Sequence, residues 1–160
     1  MYVLNLVKLP KMTKYEIEKL IREQMICRIA FRGTEYPYIA PFQYVFMNGS
    51  LYFHFTDYGR KMELLVRNEP VCVEIEKAKP NMSEYGFVVL AGMLKIVADP
   101  KERAAAIKKM AKEGEQKLSE SFLATHGFKK EDRWSSFTPD KPIIMVKLEK
   151  VFEAIGLKSP

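Results

Sequence analysis

The stretch YPYIAPFQYVFMNGSLYFHFT, residues 36–56, contains the strongest turn signal in the chain. A two-residue type I′ loop needs positive φ at both central positions, and Asn48-Gly49 supplies residues that tolerate it. The flanking runs YPYIAPFQYVF (36–46) and SLYFHFT (50–56) therefore read as antiparallel strands of a tight hairpin. Pro37 and Pro41 demote the first run to a sheet edge, or to a strand whose pairing is interrupted. Tyr36, Tyr38, Phe42 and Tyr44 alternate along it, and most of them are expected in the core. In the second run Tyr52, Phe53, His54 and Phe55 alternate between two faces: one set belongs to the core, the other is free to contact a planar ligand.

Outward from the hairpin, MICRIAF (25–31) reads as a strand and Gly33-Thr34 as a turn. Thr13 and Glu16 form a capping box that opens a short helix ending near Gln24, with Ile17, Leu20, Ile21 and Tyr15 as its apolar stripe. On the other side, Arg60 to Asn68 reads as a helix with Met62, Leu65 and Val66 available for burial, and VCVEIE (71–76) as a strand. In YGFVVLAGMLKIVA (85–98) the mid-strand Gly92 predicts a bulge or sharp bend. Asp99-Pro100-Lys101-Glu102 predicts a helix start, with Asp as cap and Pro in the first turn, running to about Leu118. Residues 119–141 are the least regular part, and PIIMVKLEKVFEAIG (142–156) closes the chain as a strand. Short strands, a hairpin, a bulge and covering helices predict a mainly β protein, a small, mostly antiparallel barrel with helical additions, as one domain over residues 1–160. A parallel βαβ sheet is the weaker reading, because the helices are few and the hairpin demands antiparallel neighbours.

The chain carries 26 basic and 20 acidic residues, a net charge of +6. Its lysines are interleaved with glutamates, as in KERAAAIKKMAKEGEQK, so a solvated helix face accounts for most of the excess and no nucleic-acid partner is expected. No apolar run approaches the ~20 residues of a membrane span, so no membrane partner and a cytoplasmic location are expected. Cys27 and Cys72 lie in separate apolar runs and read as small buried thiols. Two histidines and two distant cysteines do not make a zinc site, and no metal is expected.

The chemistry concentrates at Thr56 to Lys61. Gly59 permits close approach of backbone, Arg60 and Lys61 can neutralise a dianion, and Thr56 adds a hydroxyl, all of which suit a phosphate. The plain alternative is a pair of solvated cations in a turn. Next to this corner stands His54, a residue type whose ordinary near-neutral pKa suits proton transfer. His126 reads as a surface residue in the irregular segment, and Trp134 either stacks on a ligand from a partner subunit or packs under a loop.

FHFTDYGRKMELLVRNEPVCVEIE resembles the flavin-phosphate segment of the pyridoxamine 5′-phosphate oxidase-like FMN-binding split barrels. CRIAFRGTEYPYIAPFQYVFMNGSLYFH is similar to the branch containing the nitroimidazole-resistance proteins, and EYGFVVLAGMLKIVADPKERAAAIKKM matches the family's next strand and helix start. The resemblance covers about residues 13 to 112 and implies FMN with its phosphate at Arg60 and Lys61, helped by Thr56 and Gly59. It implies an isoalloxazine ring along Ala40, Pro41, Phe42 and Gln43, beside His54 and Phe55, and a homodimer with the flavin at the subunit interface, where Trp134 would stack. The implied activity is an oxidoreductase that takes electrons from a small-molecule donor and passes them from reduced FMN to a small-molecule acceptor, with His54 as the nearest side-chain acid or base. The alternative is a non-catalytic carrier of flavin or haem; a deazaflavin in place of FMN and, more distantly, a nucleic-acid-binding barrel complete the readings. YPYIAPFQYVF and EKVFEAIGLKSP lack the Arg and Lys of the second strand and the Arg-containing ending of true pyridoxamine phosphate oxidases, so the resemblance does not extend to that activity.

Overall fold

Alternating apolar residues give six segments one face to hide, and the six strands hide those faces by closing on one another. The structure is a computed structural model and describes residues 6–124, 127–129 and 131–160. The strands β1 (Ile26–Phe31), β2 (Tyr38–Met47), β3 (Ser50–Phe55), β4 (Val71–Ala78), β5 (Tyr85–Ile96) and β6 (Ile144–Lys158) form a closed barrel in the order β1-β2-β3-β6-β5-β4. Every pairing is antiparallel. Around it lie α1 (Lys14–Glu23), α2 (Arg60–Val66), α3 (Pro100–Lys117), α4 (Glu120–Ala124) and one 3-10 turn, Trp134–Ser136.

The local signals behave as their chemistry requires. Asn48 and Gly49 have φ of 52° and 76°, and Met47 pairs with Ser50 across a two-residue loop. The β5–β6 register shifts between Ala91 and Met93, and a Cβ on Gly92 would sit 2.9 Å from the Glu149 carbonyl oxygen. Thr13 and Asp99 cap α1 and α3 by accepting the backbone N–H of Glu16 at 3.2 Å and of Glu102 at 2.8 Å.

Three expectations change, and one pair of alternatives is resolved. β2 is the strand whose pairing is interrupted: Tyr38–Gln43 pairs with β1 and Tyr44–Met47 with β3. The Tyr44 N–H donates to the Met25 carbonyl at 3.0 Å, which sets the parity of the strand. Even-numbered residues of β2 thus turn their backbone groups toward β1, and Pro41, three back, turns its missing N–H to the side where β3 does not pair. Proline therefore removes no ladder bond. On α1, helical steps of ~100° put Tyr15 opposite Ile17, Leu20 and Ile21, and it is 75% exposed. On α2, the buried pair is Leu64 and Leu65, which turns Val66 out to 79% exposure. In β4, Val71, Val73 and Ile75 take the inner face, so Cys72 is exposed while Cys27 is buried.

Two cores result. Inside the barrel, Phe31, Phe42, Phe53 and Phe55 interlock with Tyr44, Val73, Val88 and Val146. Outside it, α3 and the residues after it cover the outer face of β2, β3 and β6 with Ile107, Met110, Leu123, Trp134 and Phe137 packed on Val45, Tyr52 and Met145. Each large side chain so buried contributes roughly 1.5–3 kcal/mol.

Candidate functional site

The parity that sends Val45 and Tyr52 under α3 also sends Gln43 and His54 to that outer face. Beside the covered patch a cavity of about 230 Å³ is lined by Ile26, Pro41, Phe42, Gln43, His54, Thr56, Lys61 and Phe122. A second cavity of about 300 Å³ shares His54 and Thr56 and continues past Asp57, Tyr58, Phe128, Lys129, Lys141 and Ile143. The two adjoin at His54 and Thr56, and together they are termed the cleft between the barrel wall and the segment that follows α3.

Polar groups in this cleft are held in distinct states. Burial pushes the Lys61 ammonium below the usual lysine range, and Lys61 makes no ion pair among the described residues. Its Nζ lies 5.7 Å from the Tyr58 ring centroid. The Thr56 hydroxyl donates to the Tyr58 carbonyl at 3.2 Å and fixes the turn that delivers Lys61. His54 is 8% exposed and meets the Phe137 ring edge-on at 5.3 Å. Gln43 is 2% exposed; its Nε2 donates to the Met110 carbonyl at 3.4 Å, and its Oε1 is buried without a hydrogen-bond partner among the described residues.

Of the residues singled out in the sequence, Pro41, Phe42, Gln43, His54, Thr56 and Lys61 meet in one cavity. Phe55 borders the second, but its ring is inside the barrel, stacked on Phe42 at 5.0 Å, and offers no face to a ligand. Four others lie elsewhere. Ala40 packs against the barrel interior. Gly59, at φ 91°, makes the turn into α2. Arg60 is clasped by tyrosines, its guanidinium 4.8 Å and 5.4 Å from the rings of Tyr36 and Tyr38 and donating to the Tyr36 hydroxyl at 3.1 Å. Tyr36, 58% exposed, is therefore a clasp rather than a core residue. Trp134 is 2% exposed in the outer core, where a Cβ on Gly114 would strike its ring, so the loop-packing alternative holds and no ring face is left for stacking. His126 lies outside the described residues.

Sequence reasoning missed Ile26, Phe122, Lys129 and Lys141. Ile26 was findable, since it pairs with Gln43 in the β1–β2 ladder; the others come from the segment with no periodic pattern. Among the described residues no cluster of His, Cys, Asp and Glu could hold a metal ion, and no helix is long and apolar enough to cross a membrane.

A barrel of this topology with a cleft on its outer wall defines a class, and the sequence defines the membership. The profile of the pyridoxamine 5′-phosphate oxidase family matches residues 13–139, and the chain belongs to that family. An FAD-binding protein from Mesorhizobium loti shares the fold at a TM-score of 0.69 and 16% identity, over 96% of this chain and 100% of that one. A candidate 5-nitroimidazole antibiotic resistance protein from Bacteroides thetaiotaomicron does so at 0.64 and 21%, over 94% and 87%. An FAD and heme binding protein from Mycobacterium smegmatis does so at 0.65 and 10%, over 92% and 71%. No curated protein matches the sequence.

Proposed function

We propose that the cleft binds FMN and that the protein is an oxidoreductase passing electrons from the reduced flavin to a small acceptor. The observation that carries this reading is the convergence of Lys61, Gln43 and His54 on one cavity. A half-buried ammonium and a buried amide oxygen, neither with a partner among the described residues, are both groups that a ligand with a phosphate and a ring N–H could pair. The two cavities together fall within the ~300–1,000 Å³ typical of cofactor pockets. The residues present fit the group.

In this reading Lys61 neutralises the phosphate, and Thr56 supports it by fixing the turn. Pro41 and Phe122 wall the ring and exclude water. FMN, when bound, supplies reversible one- and two-electron chemistry that no side chain can perform. His54, wedged against Phe137, is the group able to hold or deliver a proton at the acceptor. Arg60 serves by bracing the Tyr36–Tyr38 segment against α2.

Tyr58 and Ile39, both 62% exposed, lie on elements bordering the cleft and support a homodimer in which the second copy closes over the ring. The two unpaired thiols suit a reducing compartment, which supports a cytoplasmic location.

The test is a titration of the purified protein with FMN, FAD, riboflavin and haem, followed by visible absorbance and flavin fluorescence. FMN should bind at micromolar concentration or tighter and more strongly than riboflavin. Lys61→Met should weaken FMN roughly 10- to 100-fold while leaving riboflavin nearly unchanged. An FMN spectrum unchanged by the protein would sink the proposal; bound flavin that NADH, NADPH and added acceptors all fail to turn over would leave a carrier instead of an enzyme.

A further inference from the structure

We propose that the segment leading into α1 docks on an anionic lipid surface, with Leu6, Val7 and Tyr15 entering the headgroup layer and Lys8, Lys11 and Lys14 meeting the lipid charges. Residues 1–15, MYVLNLVKLPKMTKY, contain three lysines and no acidic residue. Leu6 is 75% exposed, Val7 82% and Tyr15 75%, so three large apolar or aromatic side chains stand uncovered within ten positions, interleaved with the lysines. Lys8, Lys11 and Lys14 are exposed as well, and none makes an ion pair among the described residues. The acidic groups that follow are mostly answered already. Glu16 is paired with Lys158 at 2.9 Å, and Glu23 with Lys77 at 3.2 Å and Lys19 at 3.9 Å, which leaves Glu18 as the carboxylate of α1 with no ion pair among the described residues.

The fold presents this segment on a fixed base. The Met12 N–H donates to the Gly156 carbonyl at 2.8 Å and the Lys158 N–H to the Pro10 carbonyl at 3.1 Å, with Lys11 bridged to Leu157 at the end of β6. Met12 turns inward, where it is the side chain that a Cβ on Gly86 or Gly156 would strike, and alternation then turns Lys11 out. Thr13 caps α1 and sets Lys14 and Tyr15 in its first turn. None of these residues lines the cleft. A membrane span takes ~20 apolar residues, which the chain lacks, but a headgroup surface takes only a few exposed apolar side chains beside lysines whose ammoniums stay at the lipid phosphates. A second copy of the chain is the poorer occupant. It would cover three ammoniums with one carboxylate near them in sequence, between molecules that each carry a charge of +6. An anionic leaflet supplies the charge that the segment lacks.

The experiment is co-sedimentation of the full chain with vesicles of phosphatidylcholine alone and of phosphatidylcholine with about 30% phosphatidylserine. The protein should sediment with the mixed vesicles, stay in solution with phosphatidylcholine, and be released as salt is raised. Leu6→Ser combined with Val7→Ser should abolish most of the binding, and each of Lys8→Gln, Lys11→Gln and Lys14→Gln should weaken it about fivefold. Because the replaced side chains are exposed, each variant should melt within about 2 °C of wild type. Lys108→Gln, Lys112→Gln and Lys117→Gln together remove the same charge from exposed positions of α3 and should leave binding within about twofold of wild type. Failure to sediment with the mixed vesicles overturns the proposal, as does equal sedimentation with both kinds. An equal loss from the α3 variant overturns it too, since net charge and not this segment would then be the cause, and so does binding that survives the loss of Leu6 and Val7. A wild-type assembly that the Leu6→Ser, Val7→Ser variant dissociates gives the segment to a second copy and overturns lipid docking, and variants that melt several degrees lower do so by assigning these side chains to the fold.

Discussion

Gly114→Ala sets two physical effects against each other in the last turn of α3. Helix propensity alone favours alanine by about 1 kcal/mol. The structure opposes it: a Cβ at 114 would lie 2.6 Å from Cε3 of Trp134 and closer still to Cζ3 and Cη2. Trp134 has no room to retreat, being 2% exposed and packed at 6.2 Å on Phe137. Overpacking of this kind typically destabilises by about 1–3 kcal/mol, and three simultaneous contacts on a fixed ring place this case at the upper end. The net loss is about 1–2 kcal/mol, a fall in Tm of roughly 2–8 °C for a domain of this size. Thermal and urea denaturation measure it directly. Repeating the substitution in a Trp134→Leu background removes the ring, and there alanine should be neutral or stabilising. A rise in Tm in the wild-type background, or the same loss in both, would refute the reasoning. Because Phe137 carries the ring that meets His54, the variant should also loosen the cleft and weaken the proposed FMN binding severalfold.

Arg103 donates to the carbonyls of Pro139, Lys141 and Ile143, so Arg103→Lys, which keeps the charge but loses the fork, should destabilise by about 1–3 kcal/mol and speed hydrogen exchange just before β6. Glu102 is held below the ordinary glutamate range, first by the Lys147 ammonium and then by the Tyr52 hydroxyl. Its contribution is complete above the ordinary glutamate pKa and is lost as pH falls through the lowered folded value; urea midpoints of wild type and Glu102→Gln should therefore converge in acid and diverge toward neutrality. With a thiol reagent the native protein should react at Cys72 alone, because Cys27 is fully buried and burial pushes its thiol up; two thiols should react in denaturant.

What the sequence made legible was local. Asn48-Gly49, Gly92 and Asp99-Pro100 each act through their own backbone, so their consequences could be written down before any contact was known. Parity was also legible, since alternation along β3 separates Phe53 and Phe55 from Tyr52 and His54. What alternation cannot say is which face the rest of the chain will cover. Both faces of β3 are buried, one by the barrel and one by α3, and the cleft is what α3 and its following segment leave beside that cover. The Arg60-Lys61 pair shows the same limit: adjacent in sequence, they part company because Tyr36 and Tyr38, more than twenty positions earlier, clasp one of them. Trp134 was ambiguous because its shelf is Gly114, a residue that no pattern in its own segment points to.

The change of partner along β2 has a consequence for how the molecule behaves among its own copies. Between Tyr38 and Gln43 one side of the strand has no neighbouring strand, even though the barrel is closed. Such a stretch is a landing place for a stray strand, and in a crowded solution it would seed aggregation. Pro41 stands in the middle of it with no N–H to offer an incoming chain. The residue that first suggested a weak strand is thus a guard on the open seam, and replacing it would endanger solubility before it endangered the fold.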